Sequence, residues 1–195
     1  MSVSLVKGQK VSLAKKDERL SVVVVGLGWD EVKRKGGFFS KPAPIDCDAS
    51  AIILQNKKLA RTEDVIYYGN LAHKTHAVVH LGDNLTGAGD GDDEQIIVKL
   101  EELPSTHDTI TFVVNIYKAI ERKQHFGLIE NAFVRIVDGR NNTEICRYNL
   151  TDDYSNMTAI VFGEIYKHND EWKFNAIGQG TQDKGLNEII QRYTN

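Results

Sequence analysis

Only two cysteines occur in the 195 residues, Cys47 and Cys146, and they stand far apart with no CxxC spacing. They could pair only in an oxidising compartment. Residues 1–10 carry no apolar run of the kind that makes a secretory leader. The expectation is therefore two thiols in a cytoplasmic protein. No stretch approaches the roughly 18 apolar residues of a spanning helix, so no membrane span is expected. The net charge of −3 and pI near 6.1 exert no general pull on nucleic acid or membrane, and no nucleic-acid partner is expected. There is no GxSxG elbow and no reactive-cysteine signature. Cys47 stands between Asp46 and Asp48, whose charges disfavour its thiolate and make it a poor nucleophile. Internal repeats and low-complexity linkers are missing too, so residues 1–195 read as one domain.

What the chain does have is a succession of short β-type runs. The segment 20–27 (LSVVVVGL) is continuously apolar and short enough for a strand buried on both faces. Further strands are predicted over 46–54, 77–81, 95–100, 109–117, 132–137, 144–150, 158–166 and 172–178. Turn pairs such as Gly36-Gly37, Asp138-Gly139, Asn141-Asn142 and Asn169-Asp170 separate several of them. Residues 186, 189, 190 and 193 form a helical stripe behind Gly185, and 116–122 suits one further helical turn. The pattern predicts a mainly all-β chain: a two-sheet antiparallel β-sandwich with a short C-terminal helix.

Residues 83–94 (DNLTGAGDGDDE) hold five acidic side chains and no basic one. Glycines at 87, 89 and 91 permit tight turns that gather carbonyls and carboxylates. The donors are all oxygen, which suits calcium and argues against zinc or copper. Leu85 and Ala88 stand where an EF-hand needs a polar ligand and a glycine, so the loop is not an EF-hand. Five neighbouring carboxylates repel one another, and a divalent ion relieves that repulsion. A solvated acidic turn is the plain alternative. Asp46 and Asp48 share one face of a predicted strand, and Asp30 ends another. Strand ends of a sandwich cluster, so these carboxylates can join the loop; equally, they can serve as simple turn caps.

Six histidines occur, and His73, His76 and His80 are close in sequence. As a strand, this stretch holds His76 and His80 about 13 Å apart, too far to share one ion. Zinc is not expected there. Trp29 and Trp172 read as core anchors. Phe38, Phe39 and Pro42 sit in a basic stretch with Lys33, Arg34, Lys35 and Lys41, read as a folded loop with its rings packed inward.

The chain resembles the TerD family of tellurite-resistance and stress-response proteins. The likeness is carried by SLVKGQKVSL (4–13), GLGWD (26–30), DCDASAIIL (46–54), VVHLGDNLTGAGDGDDEQIIVKL (78–100), NAFVRIVD (131–138), RYNLTDDYS (147–155) and FGEIYKHNDEWKFNAIGQG (162–180). The resemblance implies a β-sandwich that binds calcium, commonly two ions, with no established enzymatic activity. Carried over by position, it implies Asp30, Asp46, Asp48, Asp83, Asn84, Asp90, Asp92, Asp93 and Glu94 as ligands. Other proteins of a stress-resistance complex are the implied partners. Two features depart from the pattern: Cys47 replaces a common Leu, and 33–44 is a long insert whose GGFFS is most similar to the TerZ branch. Two other functions remain open. One is a module for cyclic nucleotides or other small molecules, as in the cyclic-AMP-binding proteins of slime moulds; the other is a calcium-dependent enzyme on phosphate esters.

Overall fold

The computed structural model describes residues 2–13, 20–31, 44–82 and 91–194. The insert 33–44 and its aromatic residues fall almost wholly outside these. Two six-stranded sheets face each other. The first runs β1 (Val3–Leu5), β10 (Thr143–Asn149), β9 (Ile129–Asp138), β3 (Val22–Glu31), β7 (Glu94–Lys99) and β6 (Val78–His80). The second runs β2 (Lys10–Ser12), β12 (Glu171–Thr181), β11 (Ala159–His168), β8 (Thr109–Ile116), β4 (Cys47–Leu54) and β5 (Val65–Ile66). Every pairing is antiparallel except β1 with β10, which is parallel. All nine strands expected from sequence form. The three added ones, β1, β2 and β5, are two or three residues long, too short to leave a periodic signal.

Alternation places one face of each strand in the core. Val23, Val25 and Leu27 of β3 point inward and are fully buried, as are Ile96 and Val98 of β7. The apolar run 20–27 predicts burial on both faces, but Val22 and Val24 are only half-buried on the outer face of the first sheet. Strands buried on both sides occur instead in the second sheet: all eight residues of β8 are buried, and seven of eight in β4. Their outer face is covered by the helix α2 (Leu186–Gln191). Ile189 packs there with Ile52, Leu54, Val113, Ala159 and Val161 in a second apolar cluster, flanked by Leu186, Ile190 and Tyr193. The helical stripe read at 186, 189, 190 and 193 is this contact. The other helical turn is α1 (Ala119–Arg122).

Trp29 and Trp172 are partly buried against the main core. Cys47 and Cys146 are buried thiols outside any disulfide. Burial pushes the Cys146 thiol up to about 12. At its start the chain passes from one sheet to the other: β1 flanks β10, Gly8 turns with φ of 80°, and β2 flanks β12. The Gly8 N–H donates to the Ala176 carbonyl at 2.7 Å, fixing that crossing.

Candidate functional site

The acidic end of the sandwich is where β3 finishes, β4 begins and β7 begins. Three consecutive acidic residues enter β7, and they go three ways. Asp92 lies on the outer face of the first sheet, above Gly26, whose missing side chain leaves the space its carboxylate fills. There Arg135 Nε donates to Oδ1 at 2.6 Å and Nη2 to Oδ2 at 3.0 Å, while the Gln95 amide adds 2.9 Å. Both oxygens of Asp92 are thus already engaged by protein donors.

Asp93 turns toward the end of β3. The register of β3 against β9 slips between Gly28 and Asp30, and within the slip the Trp29 N–H donates to Asp93 Oδ2 at 2.7 Å. Asp93 and Asp30 line one cavity of about 540 Å³, together with Gly91, Asn131 and Arg147. The Asn131 amide donates to Asp30 at 2.8 Å. Arg147 is held elsewhere, 4.0 Å over the Phe133 ring and 3.2 Å from Glu144. Burial raises the Asp93 carboxyl above its ordinary value, the Trp29 N–H opposes that, and the charges of Asp30 and Asp92 add to the rise.

Glu94 points inward between the sheets and is 4 % exposed. Its Oε2 accepts the Ala49 N–H at 2.7 Å and lies 3.2 Å from His80 Nε2. The Gly82 N–H donates to His80 Nδ1 at 3.0 Å, which leaves Nε2 as the protonated nitrogen that donates to Glu94. A strand of each sheet is pinned by one carboxylate.

Asp46 and Asp48 share a face as expected, opposite Cys47, but it is the outer face of the second sheet. Asp46 is exposed and 3.8 Å from Arg122. Asp48 lines a cavity of about 930 Å³ with Ser50, Tyr68, Asn115, Tyr117 and residues of α2. Among the described residues, the carboxylates expected in one group therefore stand in four places, because alternation sends neighbours to opposite faces. Asp83, Asn84 and Asp90 lie outside the described residues.

A different cluster, missed by the sequence reading, occupies the opposite end. Asp64, His73 and His107 are all buried and offer donor atoms within 4.8 Å of one another. This group could hold a metal ion. In sequence His73 stands beside His76 and His80, neither of which joins the group. Its actual partners are distant along the chain, on segments with no periodic signal.

A family model described as the TerD domain matches residues 1–193. Stress response protein SCP2 of Bacillus subtilis (strain 168) is 50% identical over 198 residues, covering 99% of this chain and 100% of that one. Tellurium resistance protein TerD of Serratia marcescens is 48% identical over 194 residues, covering 99% and 97%. Tellurium resistance protein TerZ of the same organism is 42% identical over 190 residues, covering 96% and 94%. A crystal structure of a homologue of telluride resistance protein (TerD) from Streptomyces coelicolor A3(2) superposes with a TM-score of 0.64 at 19% identity, covering 84% of this chain and 92% of that chain. At that identity the likeness speaks for the fold alone.

Proposed function

Because the chain belongs to the TerD family of tellurium-resistance and stress-response proteins, we propose that it works there as a non-enzymatic, cytoplasmic calcium-binding module. The observation that carries this reading is the pairing of Asp30 and Asp93 in one cavity with Gly91 and Asn131. These four residues offer oxygen donors, which is what calcium takes, while Arg147 on the same lining is engaged by Phe133 and Glu144. Burial and neighbouring charge disfavour the ionised Asp93, and a bound cation would reverse that penalty. Asp30 and Asp93 are the described residues best placed to hold an ion. Glu94 supports the site by fixing β4 to β7 behind it. Asp92, tied to Arg135, acts in this reading as a positioning group.

Calcium bound only by the folded chain stabilises it, by about 2.7 kcal/mol at 100 times the dissociation constant. Magnesium demands a stricter octahedron and dehydrates reluctantly, so it stabilises less. The test is calorimetric titration of chelator-treated protein with Ca²⁺, for the parent chain and for Asp30→Asn with Asp93→Asn. The parent is expected to bind and the double variant to bind at least about tenfold more weakly, since each lost charge removes a principal attraction. Equal affinity in both would end the assignment to this cavity.

One observation favours a second reading, a small-molecule module. The cavity of about 930 Å³ beside α2 carries tyrosine rings, Lys118 and Lys184. The Ser50 hydroxyl in its lining is buried without a hydrogen-bond partner. Asp48, Glu121 and Glu188 line it too, which disfavours a strongly anionic ligand such as a cyclic nucleotide unless a cation accompanies it.

A further inference from the structure

We infer that Asp64, His73 and His107 form a structural site for a tetrahedral divalent ion of the zinc class, at the end of the sandwich opposite Asp30 and Asp93. His73 Nε2 is 3.3 Å from Asp64 Oδ1, and His107 Nε2 is 3.4 Å from Asp64 Oδ2. Charge-assisted hydrogen bonds run near 2.7–2.9 Å, so both separations are long for one. His73 Nε2 is buried, and its contact with Asp64 falls short of a well-formed hydrogen bond. Ligands at about 2.05 Å from zinc stand about 3.3 Å apart in a tetrahedron. The two separations run to different oxygens of Asp64, and one donor atom from each of the three residues lies within 4.8 Å of the others, so an ion would draw them slightly together.

A fourth group has the same spacing. The Gln55 carboxamide nitrogen is assigned 3.2 Å from His107 Nε2. Nitrogen and oxygen of an amide are interchangeable by a half-turn, and the turned amide would offer its oxygen there. Two imidazoles, a carboxylate and an amide oxygen or water complete a four-coordinate set. The donors are chemically suited: two imidazoles and a carboxylate are ligand types that zinc takes. Thr75 Oγ1 lies 2.8 Å from His73 Nδ1, and Thr106 Oγ1 3.4 Å from His107 Nδ1, so each ring has a second partner to orient it. The Thr75 N–H also donates to His73 Nδ1 at 3.4 Å, which puts the ring's proton on Nε2 facing Asp64, and an ion would displace it.

Burial makes the site structural rather than catalytic. Asp64 and His73 are each 1 % exposed and His107 6 %, which leaves no open position for substrate. His107 also lines a cavity of about 600 Å³ that reaches solvent-facing residues such as Asn169 and Asp170, a path for the ion. The ligands come from four irregular segments: the residue after β4, the turn before β5, the segment before β6 and the loop before β8. An ion there would cross-link segments that isolated bridges and single backbone hydrogen bonds now hold. The two ends are separate, because Asp48 and Gln55 lie seven residues apart along β4 and its edge, about 23 Å.

The experiment is Zn²⁺ titration of chelator-treated full-length protein, with Co²⁺ as the spectroscopic substitute. The inference expects one Zn²⁺ per chain, a tetrahedral Co²⁺ visible spectrum, and imidazole nitrogen NMR shifts confined to His73 and His107. His73→Gln and His107→Gln should each weaken Zn²⁺ at least about 100-fold. His107→Cys keeps a ligand and should add a thiolate-to-Co²⁺ charge-transfer band. Asp30→Asn with Asp93→Asn should leave Zn²⁺ uptake unchanged, separating this site from the calcium reading. No uptake by the folded parent chain overturns the inference, as do shifts at the other histidines instead. Full-strength uptake by both Gln variants does the same. If those variants fail to fold, the parent's stoichiometry, spectrum and NMR shifts decide alone.

Discussion

Glu94 Oε2 accepts the backbone N–H of Ala49 at 2.7 Å across the gap between the sheets. The same oxygen faces His80 Nε2, so one carboxylate serves donors from two strands in opposed sheets. Glu94→Ala strands the Ala49 N–H in the interior, at about 1–3 kcal/mol, and leaves His80 Nε2 only the Ala49 carbonyl at 3.2 Å. The expected loss is about 2–4 kcal/mol by urea unfolding of metal-free protein. Glu94→Gln should lose less, because its amide oxygen still accepts from one of the two donors. A loss under about 0.5 kcal/mol in the alanine variant would mean that the pin contributes nothing net.

Asp93 gives a pH dependence of definite sign. Burial holds its folded-state carboxyl above the ordinary value that it has when unfolded. Between those values the folded chain binds more protons, so metal-free stability falls as pH rises through the window. Well below the ordinary value the effect vanishes. Asp93→Asn should therefore raise the Tm of metal-free protein at pH 7 and change nothing near pH 2.5, while weakening Ca²⁺ binding. A variant less stable than the parent at pH 7 would contradict the stated origin of the shift.

Asp92 depends on Arg135. Its side chain is 1 % exposed, against 27 % for the arginine. Arg135→Met leaves a buried carboxylate without its cation and should cost about 3 kcal/mol by denaturant unfolding. Adding Asp92→Asn should recover part of that. Gly26→Ala drives a methyl into the Asp92 carboxylate and should disturb the same pair.

The thiols give a simple check on the core. Cys146 is buried with a pKa pushed up to about 12, and Cys47 is 5 % exposed. Neither should react with a disulfide reagent at pH 8 until the chain unfolds, when two thiols per chain should react. Fast labelling of the native protein would mean that this core opens locally.

The sandwich was legible because alternation and β-branching are local signals. Eight of the nine expected strands leave them in runs of six residues or more, 77–81 being shorter, and the C-terminal stripe carries its own helical period. Which sheet is buried on both sides was not legible. The apolar runs of β3 and β4 look alike, and only the docking of Ile189 beneath β4 distinguishes them. At the acidic end, composition marked the stretch but not its division. The outer face of β3 takes Asp92 because residue 26 is a glycine, and the register slip at Gly28–Asp30 draws in Asp93. The Asp64–His73–His107 group was invisible for a different reason: its members are scattered, and only the folded irregular segments bring them together.

The parallel pairing of β1 with β10 and the docking of β2 on β12 mean that one short stretch of chain seals the same flank of both layers. Without it, two rows of backbone amides and carbonyls would face solvent side by side. Such borders recruit strands from neighbouring molecules. Trimming this clasp would therefore drive self-association through strand addition well before the interior itself came apart.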